Sequence, residues 1–158
     1  MGEKERHFWK EKTLEEMDDK EWELLCDQCG ICCLFKLEDE DSGKLYYTRV
    51  TCRLLNMKNA TCTRYPDRTK LIPLCIPLSI KDPDKFSLLP KTCAYRRLYE
   101  GKRLLPWHPL ITGRKQSVQE AGFSIINKTI SEKKIKRGQI TDYIVEEEIT
   151  SFFKRMLE

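Results

Sequence analysis

Apolar residues along this chain fall in short clusters, and their spacing predicts short elements. Leu34, Phe35 and Leu37 lie on one side of a polar, glycine-containing stretch over 38–43, and Leu45, Tyr46, Tyr47 and Val50 lie on the other. That pattern predicts a β-hairpin over 34–50. Upstream, Thr13-Leu14-Glu15-Glu16 fits a capping box, in which a threonine hydroxyl and a glutamate carboxylate satisfy free N–H groups at a helix start. A helix is expected from there to about Leu25, interrupted near Asp18 and Asp19, with Met17, Trp22 and Leu25 on its buried side.

Downstream, residues 51–78 contain Pro66, Pro73 and Pro77 and read as mostly irregular. Residues 79–89 predict a short helix, with Pro83 tolerated near its first turn. Residues 93–100 predict another, closed by Gly101 at the position after the cap. A proline-broken loop over 104–113 carries Trp107-His108-Pro109, and 117–121 predicts one helical turn. Phe123, Ile125, Ile126 and Ile130 predict a strand over 123–130. A basic run over 133–137 ends at Gly138, and Asp142 is expected to cap a final helix carrying Tyr143, Ile144, Val145, Ile149, Phe152 and Phe153.

These elements add up to a small single α+β domain with a β-hairpin, short helices and long metal-stapled loops. Its 158 residues suffice for one modest core. The domain is expected over 13–158, after a polar arm over 1–12 in which Phe8 and Trp9 are candidate anchors. No internal repeat or low-complexity linker interrupts it.

Composition narrows the setting. The apolar stretches are only a few residues long, against the roughly 20 that a spanning helix needs, so no membrane segment is expected. The opening Met1-Gly2-Glu3-Lys4-Glu5-Arg6 leads into no apolar core of a secretory signal, and Arg6 stands where myristoylation wants Ser or Thr. The expected location is the cytoplasm, a reducing compartment where disulfides are rare. Eight cysteines then call for another role, and they are about 5% of the chain, below the ~8–10% of disulfide scaffolds.

The cysteine spacing points to metal. Cys26-Asp27-Gln28-Cys29-Gly30-Ile31-Cys32-Cys33 reads C-x-x-C-x-x-C-C. The two-residue spacing lets thiolates converge on one centre about 2.3 Å from each. Gly30 is free to take positive φ and so to turn backbone N–H groups toward sulfur. Three cysteines so spaced also match the run that grips a cubane cluster in bacterial-type ferredoxins, although the usual fourth cysteine and proline do not follow here. Adjacent side chains diverge, so Cys32 and Cys33 are expected to face two centres or to touch one polynuclear cluster. With Cys52, Cys62, Cys75 and Cys93, four plus four gives two sites: Cys26, Cys29 and Cys32 with one distant cysteine, and Cys33 with the others. Cys93 opens a helix, a position that lowers a thiol pKa.

Charge is uneven. Residues 1–25 carry five Lys/Arg against nine Asp/Glu, a net −4, whereas 42–115 carry sixteen against four, a net +12. The basic stretch coincides with the downstream cysteines and reads as counter-charge for anionic thiolate sites or as ordinary solvated surface. A nucleic-acid partner is not expected, because no aromatic–basic repeat or recognition-helix pattern stands out.

With these residues in view, the chain resembles the bacterial YcgN family, a zinc- or iron-chelating domain named for its CxxCxxCC cluster. The resemblance covers most of the chain. It includes Phe8-Trp9, Lys12-Thr13-Leu14, Glu21-Trp22, the cluster from Cys26 to Cys33, Leu37 and Asp39-Glu40-Asp41. It continues through Cys52-Arg53-Leu54-Leu55-Asn56, Cys62 with Tyr65, Cys75, Leu89-Pro90 and Thr92-Cys93-Ala94-Tyr95-Arg96. It closes with Glu100-Gly101, Leu105-Pro106 and Trp107-His108-Pro109-Leu110. The resemblance implies metal chelation and no established activity. A related cluster in the enzyme that methylates flagellin lysines implicates an iron–sulfur cluster, by analogy. The wider domain shows Tyr-x-x-Arg-Pro after its middle cysteine, where this chain has Tyr65-Pro66-Asp67-Arg68-Thr69.

His108 is a further candidate, as a ligand, an acid–base group or a structural histidine under Trp107. His7 reads as solvated, and Asp39-Glu40-Asp41 as a solvated turn. Tyr46, Tyr47 and Tyr95 are candidates for core packing or for hydrogen bonds to sulfur. The sequence contains no phosphate loop, Ser-His-Asp arrangement or dinucleotide fingerprint. The leading expectation is a metal-binding protein holding zinc or an iron–sulfur cluster, with its protein partner unassigned and catalysis left open. The alternatives are an iron–sulfur redox enzyme or an accessory to another enzyme, and a zinc-stapled nucleic-acid or protein interaction module.

Overall fold

In the computed structural model, which describes residues 7–75, 77–136 and 138–157, the hairpin forms where the alternation places it. Strand β1 (Leu34–Glu38) pairs antiparallel with β2 (Leu45–Thr51), and the polar stretch between them makes the turn. The pairing is irregular: Leu34 faces Thr51, but Lys36 faces Tyr47. The buried Thr48 hydroxyl fills this break by donating to the Phe35 carbonyl at 2.8 Å. One consequence is that the Lys36 ammonium lies over the Tyr47 ring, 4.8 Å from its centroid.

The other edge of β2 takes two short strands. Strand β6 (Ile144–Val145) pairs antiparallel at Tyr47 and Thr48, and β5 (Ile130–Ser131) pairs parallel at Val50 and Thr51. A separate two-stranded piece, β3 (Leu55–Asn56) with β4 (Thr61–Cys62), sets Leu55 opposite Cys62. The α+β class is thus as the sequence implies.

Two apolar clusters hold the chain together. The first gathers Ile31, Leu34, Leu55, Val118, Ile125, Val145, Ile149 and Phe153, with Cys29 among them and Cys33 against its edge. The second gathers Phe8, Trp9, Leu14, Leu25, Phe86, Leu89, Ala94, Tyr95 and Leu104, with Cys93 against its edge. Phe8 and Trp9, on α1 (Phe8–Glu11), are therefore buried anchors. Cys29, Cys33 and Cys93 thus tie the cysteine-rich segment to both clusters.

The capping box forms, with the Thr13 N–H donating to Glu16 Oε2 at 2.8 Å, but it starts a single 3-10 turn (Leu14–Glu16). A second cap then opens α2 (Asp19–Leu24): Asp18 Oδ1 accepts from the Glu21 N–H at 2.8 Å. The interruption expected near Asp18 is thus a break between two elements. In the middle of the chain, α3 (Arg68–Leu71) follows a 3-10 turn (Tyr65–Asp67), and the helix expected around Pro83 is a 3-10 helix (Pro83–Leu88). Helix α4 (Ala94–Tyr99) ends as the sequence implies: Gly101 takes φ +76°, and the Lys102 N–H reaches the Arg97 carbonyl at 2.8 Å.

Three expectations need correction. Residues 109–112 are not loop but one helical turn, α5 (Pro109–Thr112), because Pro109 fits a first turn and the His108 ring accepts from the Leu110 N–H. Residues 123–129 are not strand. Asn127 takes φ +65°, and the Ile125 N–H donates instead to the Cys29 carbonyl at 2.9 Å, so only Ile130 and Ser131 join the sheet. The final helix, α7 (Ile149–Leu157), is not capped by Asp142; residues 144–145 go to β6. Its first N–H groups are satisfied by Glu148, whose carboxylate accepts from the Thr150 and Ser151 N–H groups at 3.1 and 3.0 Å. The one turn expected after Gly113 is α6 (Ser117–Glu120), and Gly138 takes φ +91° after the basic run, of which Arg137 lies outside the described residues.

Candidate metal centre

The C-x-x-C-x-x-C-C segment follows α2 as a loop with two left-handed residues, Gln28 (φ +60°) and Gly30 (φ +81°). Gly30 is required there: a Cβ would come within 2.4 Å of Ile125 Cγ1. The resulting turn aims the Gln28 N–H at Cys26 Sγ (3.4 Å), and further along the Leu54 N–H points at Cys52 Sγ (3.5 Å). Both are amides two residues downstream of a cysteine, and such partial positive charges favour the thiolate a metal requires.

All eight cysteines are free thiols. Backbone pairing and electrostatics link them in two overlapping sets. Cys26, Cys29 and Cys32 share the first loop, and Cys93 is brought to them through α4, where the Tyr95 hydroxyl donates to the Trp22 carbonyl at 2.6 Å. Thiolate charge at Cys32 acts on Cys26, Cys29 and Cys93 alike. Cys33 joins the other group: the Cys52 N–H donates to its carbonyl at 3.0 Å, and Cys62 on β4 lies opposite Leu55, three residues past Cys52. Cys75 is within electrostatic reach of Cys32 first, and then of Cys52 and Cys62. Among the described residues, no three Cys, His, Asp or Glu side chains yet converge closely enough to hold a metal ion, so the thiols would have to turn toward a common centre.

Burial raises the pKa of most of these thiols. Cys26 has an accessible face, yet dense packing around its sulfur pushes its pKa well up, and Asp27 adds to this. Burial likewise raises Cys29, Cys52 and Cys75, and pushes Cys93 up to about 12 against the opposing effect of the Arg96 amide. Cys32 is the exception. Its pKa is lowered, first by a hydrogen bond with the Cys33 thiol and then by the charge of Lys36, while Cys33 is raised in turn. The donor set is thus sulfur-only and soft, which fits zinc or an iron–sulfur cluster and not a hard oxygen-seeking cation.

His108 lies at the edge of the first group, buried and with both ring nitrogens engaged. Nε2 donates to the Leu25 carbonyl at 2.8 Å, and Nδ1 accepts from the Leu110 N–H at 3.0 Å. The carbonyl can only accept and the amide only donate, which fixes the neutral tautomer. Burial lowers the His108 pKa, against the Leu25 carbonyl and the nearby Asp27 carboxylate. Tyr65 also belongs to this surface: its hydroxyl donates to the Glu23 carboxylate (2.8 Å), and the Arg68 guanidinium stacks 3.8 Å from its ring centroid. No sequence signal marks the roles of Lys36 and Glu23, whose contacts are set by strand register and by tertiary packing.

Comparison with known proteins bears on the same residues. Residues 25–94 match the CxxCxxCC family, described as a "Putative zinc- or iron-chelating domain", and that span contains all eight cysteines. A UPF0260 protein of Shewanella denitrificans is 48% identical over 138 residues, 87% of this chain and 93% of the relative. The chain belongs to the UPF0260 family. Other UPF0260 proteins, from Pseudomonas aeruginosa and Azotobacter vinelandii, are 44% and 43% identical over 145 residues, each covering 92% of this chain and 97% of the relative. No solved structure matches the chain. The family match supports metal binding by the cysteine-rich segment. No helix among the described residues is long and apolar enough to cross a membrane.

Proposed function

We propose that this UPF0260 protein is a cytoplasmic metal-binding protein that holds zinc or an iron–sulfur cluster through Cys26, Cys29, Cys32, Cys33, Cys52, Cys62, Cys75 and Cys93. The observation that carries the reading is the pair of amides directed at sulfur, from Gln28 to Cys26 and from Leu54 to Cys52, one in each cysteine group. Neutral buried cysteines that serve only as packing need no such donors; thiolates do. The sequence likeness to the YcgN family supports the same chemistry.

The two neighbourhoods support a division into two centres. Cys26, Cys29, Cys32 and Cys93 would serve one, and Cys33, Cys52, Cys62 and Cys75 the other. When bound, zinc would staple the loops structurally, whereas a cluster would supply electron transfer or a site for substrate. The chain's own part is to present the thiolates, to direct amides at them and to shield them with the two apolar clusters. His108 then orients the loop after α2 through the Leu25 carbonyl, leaving coordination to sulfur.

The test is metal and acid-labile sulfide content of protein purified without oxygen, with its visible spectrum. Brown protein carrying iron and sulfide places it in redox or cluster chemistry. Colourless protein with about two zinc ions per chain, as two Cys₄ sites would hold, places it in a structural or interaction role. Neither metal, with eight free thiols and the fold intact, overturns the proposal.

A further inference from the structure

Lys36 is half-buried on β1, three residues after Cys33. Its Nζ lies 3.4 Å from the Cys32 carbonyl and 3.4 Å from the Leu34 carbonyl, with the Tyr47 ring beneath it. That ring is itself held, because the Tyr47 hydroxyl donates to the Leu88 carbonyl at 2.7 Å. Among the described residues, Lys36 makes none of the carboxylate ion pairs that engage Lys12, Arg53, Arg64, Lys85, Arg96 and Arg114.

Such an arrangement is costly for an ammonium ion as it stands. Taking a cation out of water is unfavourable unless an anion faces it, and two carbonyls at 3.4 Å and a ring face compensate only in part. The anions available are sulfur. Cys32 and Cys33 are the adjacent pair at which the two proposed centres meet, and the 3.4 Å contact of Nζ with the Cys32 carbonyl places the ammonium at that junction.

The geometry points to Lys36 as the counter-cation of the metal-loaded thiolates, a positioning residue that raises metal affinity at the junction of the two cysteine groups without itself ligating. The inference rests on the metal-binding reading above. A thiolate-bound centre concentrates negative charge that the fold must balance, and one fixed cation is on the scale of the outer contacts whose loss weakens metal sites. Lysine meets the demand as a compact point charge, held over the face of the Tyr47 ring.

The experiment adds Zn²⁺ to reduced, metal-free protein and titrates it against a competing chelator. Wild type is compared with Lys36→Met, which keeps the stem and removes the charge, and with Lys36→Arg, which keeps the charge. Thermal unfolding of the metal-free proteins monitors the fold, and Lys36→Gln replaces the Met variant if that one unfolds early. The expected result is zinc affinity about 10–100-fold weaker in the neutral variant, the range for outer-contact losses. The Arg variant should lie close to wild type, and the metal-free unfolding midpoints should agree. Wild-type zinc affinity in the neutral variant overturns the inference, and so does equal weakening in the Arg variant. A wild-type chain that takes up no zinc instead overturns the metal reading itself.

Discussion

The N–H of Cys52 donates to the carbonyl of Cys33 at 3.0 Å, so the last cysteine of the first motif is bound through the backbone to the first cysteine downstream. Cys32, its neighbour, shares a hydrogen bond with the Cys33 thiol and lies within reach of the Lys36 charge. The proposed division into two centres runs through this adjacent pair.

This division predicts a pattern of metal loss. Cys33→Ala or Cys52→Ala should remove the metal of one centre and spare the other, and Cys93→Ala should do the reverse. Metal counting on each variant, purified without oxygen, checks it. Loss of all metal from every single variant would indicate one shared polynuclear cluster.

Gly30 predicts a stability effect without any change of ligand. Gly30→Ala places a methyl group 2.4 Å from Ile125 Cγ1 at φ +81°. Overpacking costs about 1–3 kcal/mol, and the left-handed conformation adds roughly 1–2 kcal/mol for a residue with a Cβ. Chemical unfolding of the metal-free protein should register a loss of about that sum. A variant as stable as wild type would mean that the loop has room to shift away from Ile125.

His108 separates structure from coordination. His108→Ala leaves the Leu25 carbonyl and the Leu110 N–H without their ring partner, and an unsatisfied buried group costs about 1–3 kcal/mol. The variant should unfold earlier yet bind as much metal per chain as wild type. Loss of metal at unchanged stability would make His108 a ligand.

Much of this architecture was legible in the sequence because it rests on local rules. Alternation set the hairpin, Gly101 set the end of α4, and the cysteine spacing marked the loop that the amides of Gln28 and Ile125 now shape. What escaped was decided by tertiary contact. The isoleucines over 125–130 have the composition of a strand, but Ile125 is bonded to the Cys29 carbonyl and buried against Gly30, so the segment serves as a wall for the cysteine loop. Residues 144–145 have the look of helix but complete the edge of β2, which left Glu148 to start α7. Lys36 reads in sequence as one basic residue among many. Only the break in register shows it facing Tyr47 beside the adjacent cysteines.

The central claim is that sulfur from these cysteines holds the metal, and X-ray absorption at the edge of whichever metal co-purifies measures that directly. Sulfur alone is expected around the metal, at about 2.3 Å. A shell dominated by nitrogen or oxygen would contradict it.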